Sequence, residues 1–238
     1  MKRFWDMAAA MPVDGETGWR VLLDGRPMRL PGGAVLTLTR AALAEAVAAE
    51  WQAAGGAKGG EMSFADVPLT RLAGTAQERI AADPAPVVLE LARYAESDLL
   101  CYRAGSPDAL IQMQEAAWQP WLDWAAERHG ARLRVTTGVI HIAQDPAALA
   151  RLAAALAGHA PDALAALGVA VPVLGSLVLG LALAEGVLDA QGAGAAALVD
   201  ERFQAGLWGE DAEAAARRLR IAEDIAVAGR LLDIVRAG

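Results

Sequence analysis

The chain has a single cysteine, Cys101, in 238 residues. No disulfide can form within it, and such sparing use fits a reducing cytosol. Basic residues are also short: 21 Lys and Arg stand against 29 Asp and Glu, for a net charge of −8 and a pI near 4.9. That balance argues against nucleic acid, whose partners usually show a basic stripe, and against an anionic membrane surface. A basic protein partner suits the charge better, and solubility alone also accounts for it. Targeting signals are missing. The start, "MKRFWDMAAAMPVDGE", carries Asp6, Asp14 and Glu16 and no apolar h-region. Neither a secretory signal nor a transit peptide is expected, and a cytoplasmic location is.

Long uncharged runs are absent with one exception. From Ala163 to Ala184 there are 22 residues without a charge, long enough to span a bilayer. Asp162 and Glu185 flank the run directly, with no Lys, Arg or aromatic belt at its ends. Gly168 and Pro172 interrupt it. The expectation is a helix end, a turn, and then a buried central helix from about Pro172, with no stable membrane insertion.

The usual catalytic signatures are lacking too. "GGAKGG" (55–60) is glycine-rich but has no GK[ST] ending and no following helix, so it is no phosphate loop. Gly175-Ser176 lacks the second glycine of a nucleophile elbow. His129, His141 and His159 are scattered, and His129 has the bland role of a cation in a last helical turn. Cys101 has no nearby histidine to activate it and reads as a small buried hydrophobe. Glu210, Asp211 and Glu213 could bind a hard cation only if carboxylates converged from other elements. An acidic helix start explains them more simply. No cofactor or metal is expected.

What is present is a folded core, with 55% hydrophobic residues. The first third reads as β. "TGWRVLLDGRPMRL" is two short runs around Asp24-Gly25, a pair suited to the positive φ angles of a type I′ turn. "AVLTL" supplies a third strand. Thr39 stands as an N-cap before an amphipathic helix over 40–54 that carries Leu43, Val47 and Trp51. The 55–60 segment is expected as a flexible loop. Thr70 is a second candidate cap, and Asp83-Pro84 and Ser106-Pro107 are cap-and-proline starts. A helix is expected from Pro107 to His129, stopped by Gly130. One extended stretch, 132–142, interrupts a chain that is otherwise helical to the end. The last helix, from Glu210 to about Arg236, lines up Ile221, Ile225, Ala228, Leu232 and Val235. The fold class is therefore α+β: a small antiparallel sheet with a packed helix over 1–82, then a larger all-helical domain over 83–238.

Two stretches stand out. "WQPWLDWAAERHG" places Trp118, Trp121 and Trp124 at i, i+3 and i+6, across about 120° of a helix surface. They suit a core face, or an aromatic groove for a partner. "DERFQAGLWGEDAEA" (200–214) mixes five acids with Phe203 and Trp208. A core segment would not carry those acids, and a plain solvated face would not spend those aromatics.

Six stretches, in order, resemble one family, the assembly chaperones that handle the α subunit of F-type ATP synthase in mitochondria and α-proteobacteria. They are "VLLDGRPMRLPGG", "AEWQAAG", "VPLTRLAGTAQERI", "SDLLCYR", "WQPWLDWA" and "ERFQAGLWGEDAE". The resemblance spans about 19 to 225. It departs from the mitochondrial pattern at Ala216 and Arg217, where those members have a His-Asp pair. It implies a non-enzymatic protein that binds a free α subunit, shields its β-facing surface and releases it on assembly. It also implies a candidate client site of Glu201, Phe203, Gln204, Trp208, Glu210, Asp211 and Glu213, with the aromatics as anchors or hinge packing and the acids as a rim. The alternatives are a small acidic metal-dependent enzyme, with a deep polar pocket, or a permanent subunit of a complex, with a large apolar face.

Overall fold

The computed structural model describes residues 1–238 except Asp14, Glu16, Glu210 and Gly238. The chain divides into two compact units. The first comprises residues 1–84 with 161–165 and 231–238, and the second comprises 85–160 and 166–230.

The first unit is a four-stranded antiparallel sheet with a helix laid on it. The strands are β1 (Ala8–Pro12), β2 (Trp19–Leu23), β3 (Arg26–Pro27) and β4 (Thr37–Leu38). β2 is central, pairing with β1 on one side and with β3 and β4 on the other. The β2–β3 turn is the expected one: Asp24 and Gly25 have φ of 47° and 77°, the left-handed geometry that this dipeptide tolerates. Nothing in the pattern of "AAAMP" announces β1, since alanine is a helix former and poor in strands. Its pairing with β2 from Ala8↔Leu23 to Pro12↔Trp19 makes it a strand.

Helix α1 (Ala41–Ala53) lies across β1 and β2 and buries Leu43, Val47 and Trp51. It starts without a side-chain cap, at Arg40. The expected cap residue, Thr39, donates instead to Asp162 at 3.5 Å. Helix α2 (Pro68–Thr75) starts two residues before Thr70, because Pro68 is preset for the first turn. The cap for α2 comes from α1. The buried Glu50 carboxylate accepts from Leu69 N–H and Thr70 N–H at 2.9 and 3.2 Å. Trp51 Nε1–H donates to Thr70 Oγ1 at 2.8 Å. One π-helical turn, Ala76–Ile80, extends α2.

The glycine-rich 55–60 segment is fastened rather than loose. Arg3, 3% exposed, donates to the carbonyls of Trp5, Asp6, Gln52, Ala54 and Gly56. The main chains of Arg3, Gly59 and Gly60 also bond to each other. Gly60 must be glycine, because a Cβ there would collide with the Gly55 carbonyl.

The second unit is helical: α3 (Ala85–Ala92), α4 (Asp108–His129), α5 (Pro146–Ala157), most of α6 (Pro161–Leu174), α7 (Leu177–Ala184), α8 (Ala190–Ala197), α9 (Val199–Trp208) and the larger part of α10 (Ala212–Ala237). Pro107 itself is the N-cap of α4, and Gly130 ends that helix in the left-handed conformation. Of the stretch expected to be extended over 132–142, β6 (Thr136–Thr137) is the regular part, and it pairs in parallel with β5 (Tyr102–Arg103).

The uncharged run becomes α6 and α7. Its break is at Gly175-Ser176, not at Gly168 and Pro172. Pro172 lies inside α6, which runs on past it to Leu174. Gly175 takes φ +64°, and the Ser176 hydroxyl accepts from Leu179 N–H to start α7. Every residue of α7 is buried, with α4, α5 and α8 packed against it. Among the described residues, no helix is long and apolar enough to cross a membrane.

Candidate partner-binding site

The candidate residues that the structure describes lie on the hairpin formed by α9 and α10. What α10 buries begins at Ile225. Ala228 and Leu232 follow on the expected face, with Ile221 and Val235 half-buried. From Asp200 to Asp224 no described residue is buried. The sequence supplies the reason: this length has too few apolar residues at helical spacing to make a core stripe, and three of them point outward. Trp208 is 85% exposed, Leu207 60% and Leu219 66%. Phe203 is half-buried and Gln204 exposed.

The five acids divide by role. Asp200 is internal hardware: it accepts from Gln114 Nε2–H at 2.7 Å, while Gln114 Oε1 accepts from Ala104 N–H at 2.7 Å. A buried glutamine thus joins α9 to the segment before α4. Asp211 is the N-cap of α10, its carboxylate accepting from Ala214 N–H at 3.1 Å. The helix therefore starts at Ala212, and Asp211 holds one of the orphan donors of the first turn. Glu201 faces Arg217 across the hairpin at 3.8 Å, an exposed pair that contributes little to stability. Glu213 is exposed in the first turn of α10. Glu210 lies outside the described residues.

The other quoted motifs point inward. Asp98, fully buried, accepts from Leu100 N–H and from Val178 N–H at 3.1 Å each. It joins the "SDLLCYR" segment to the start of α7. Burial pushes its carboxyl up to about 6, against the hydrogen bonds from Ser176 and the backbone that hold it down. Burial, reinforced by the Asp98 charge, pushes the Cys101 thiol up to about 12, so it is no nucleophile at neutral pH. Arg103 stacks its guanidinium 5.3 Å from the Trp118 ring and donates to Glu115 and Gln119. Burial lowers its pKa.

The three tryptophans separate as their spacing implies. Trp118 is fully buried and donates to the Ala196 carbonyl at 2.7 Å. Trp121 is half-buried. Trp124, also half-buried, meets the His129 ring edge-on at 5.1 Å. His129 Nε2 lies 3.1 Å from Glu185, off the direction of a hydrogen bond, and burial lowers the pKa of both His129 and His159. Among the described residues no group of three His, Cys, Asp or Glu side chains gathers to hold a metal.

The hairpin can therefore bind by surface contact, with an exposed tryptophan flanked by leucines and carboxylates. Sequence reasoning missed that Asp200 and Asp211 have internal partners. The S/T/D cap rule could have found Asp211. The partner of Asp200 is 86 residues away, at Gln114, where no local pattern reaches.

Residues 2–126 match the model of a family described as ATP12 chaperone protein. The fold is similar to the crystal structure of Atp12 from Paracoccus denitrificans, with a TM-score of 0.90 and 41% identity over 98% of this chain and 97% of that one. A point mutant of the P. denitrificans protein matches equally well. The Atu1473 protein of Agrobacterium tumefaciens is similar with a TM-score of 0.91 and 39% identity, over 98% of this chain and 86% of that one.

Proposed function

This chain belongs to the ATP12 chaperone family, and on that premise we propose that it serves assembly of the F-type ATP synthase by binding the free α subunit. It shields the surface that later meets the β subunit and gives it up on assembly. It acts in the cytoplasm, by binding rather than by catalysis. The observation that carries this reading is the α9–α10 hairpin, where Trp208 stands 85% exposed within residues 200–224, a length in which no described residue is buried. Exposed tryptophan is an anchor in search of a pocket, and a buried anchor contributes about 2 kcal/mol or more to an interface. Glu201, Asp211 and Glu213 lie on the same hairpin, so a basic client face is steered in and an acidic one rejected. The N-cap duty of Asp211 leaves its charge in place for that purpose.

The test is a holding assay. Isolated α subunit, mixed with an equimolar amount of this protein without ATP or metal, is expected to stay in solution and to co-elute on size exclusion. Unchanged aggregation, with both proteins shown to be folded, sinks the reading.

A further inference from the structure

Two apolar grooves in the second unit remain unused by that reading. One, of about 710 Å³, lies between α8, α9 and α10 over Gly194, Ala195, Ala222 and Ala226. The other, of about 540 Å³, lies between α4 and the α8–α9 pair and is walled by Met113 and Trp121. Ala195 and Arg202 line both grooves. Arg202 is exposed and makes no ion pair among the described residues, unlike its neighbour on the hairpin, Arg217, which faces Glu201. Arg218 adds a second cation to the lining of the first groove.

This combination selects its occupant. A purely polar segment would leave the alanine, methionine and tryptophan walls uncovered. A purely apolar one would press Arg202 against hydrocarbon with no counter-charge, which is costly. An amphipathic segment with one carboxylate satisfies both demands. Apart from Gln191, the lining along α8 is alanine and glycine, with no side chain long enough to interdigitate. A helix axis can therefore come in at the short end of the usual ~8–10 Å, and the occupant must supply the large side chains.

We propose that the grooves beside α8 receive an amphipathic helix of the client, with an Asp or Glu of that helix paired to Arg202. The proposal rests on the client reading above and adds a second contact to it: acids on the hairpin meet a basic client face, while a cation at the grooves meets an acid on a client helix.

The test uses the full-length protein and purified α subunit. Ala222→Trp puts a large ring on an exposed groove position, and Arg202→Glu reverses the charge that lines both grooves. Both sites are exposed, so thermal melts should overlay the wild type. Each variant is expected to weaken α-subunit binding about tenfold or more, and Arg202→Lys to retain most of it. A photo-crosslinker at Ala222 should attach to a single helical, acid-bearing segment of the α subunit, a readout that does not depend on how the bulky variant folds. Wild-type affinity in both folded variants, with binding lost in Trp208→Ala, overturns the grooves and leaves the client reading standing. Crosslinks to a segment without an acid, or to a second copy of this chain, also overturn them. If wild-type protein does not bind the α subunit, the client reading fails and the groove proposal falls with it.

Discussion

Around Asp98 a carboxylate without solvent contact holds N–H groups from two separate segments, whereas along residues 200–224 no described residue is buried. Both regions belong to the second unit, and both contain stretches that carry the resemblance read from the sequence. The difference lies in what each does with its polar groups. Near Asp98 they are consumed in making the fold, as they are where Glu50 and Trp51 fasten the start of α2. On the hairpin, Asp200 and Asp211 are consumed in the same way, while Trp208 and Glu213 remain facing solvent. A shared motif is thus not in itself a binding site. Most of the recognisable stretches here are latches between elements, and one carries a residue that the fold does not use.

Substitutions should expose this contrast, the buried side losing stability and the hairpin losing binding. The largest loss is expected for Trp118→Ala, about 3–5 kcal/mol, since a fully buried ring and its hydrogen bond to Ala196 both go. Urea denaturation measures it, and a loss below about 1 kcal/mol would contradict the core assignment.

Asp98→Ala comes next. It orphans the N–H groups of Leu100 and Val178, at about 1–3 kcal/mol for each buried donor. Asp98 also gives the stability a pH dependence. Its carboxyl is raised from 3.8 to about 6 in the fold, so the native state holds its proton more tightly than the unfolded chain does. The stability it contributes is complete below about pH 4 and is lost as pH rises through about 6. Asp98→Asn has no such proton. Wild type should gain stability relative to Asp98→Asn as pH falls from 7 to 4, by up to about 3 kcal/mol. A constant gap across paired denaturation curves would show that the Asp98 carboxyl titrates normally.

Glu213→Lys should cost about 0.3–1 kcal/mol, because it sets a cation at the positive end of α10. That is small beside a typical domain stability of roughly 5–15 kcal/mol. Client binding should suffer more, most visibly at low salt, where charge effects are least screened. Wild-type affinity there would make this helix start mere scaffold. Trp208→Ala should have the smallest effect on the fold, within about 0.5 kcal/mol, and a clear effect on co-elution with the α subunit. A melting temperature lowered by many degrees would mean that the ring is core after all.

The sequence by itself determined the elements whose cause is local. Asp24-Gly25 dictated the hairpin because two successive positive φ angles suit few other pairs. Gly130 ended α4, and the apolar spacing around Ile225, Ala228 and Leu232 set the buried face of α10. The mixture of Trp208 with acids was visible as a surface that neither core nor solvent explains. The tertiary structure alone decided what depends on a distant partner. Alanines 8–10 became a strand because β2 offered its edge. Thr70 proved to be a partner of Trp51 rather than a cap, since Glu50 already held the start of α2. The uncharged run broke at Gly175 rather than Pro172, where Ser176 and Asp98 together hold the first N–H groups of α7. Trp118 went to the core and Trp121 to a groove. The physical reason is common to all of these. A turn or a cap is settled by neighbours in the chain, but a buried polar group takes its partner from wherever packing brings one, and packing is not written in any local stretch.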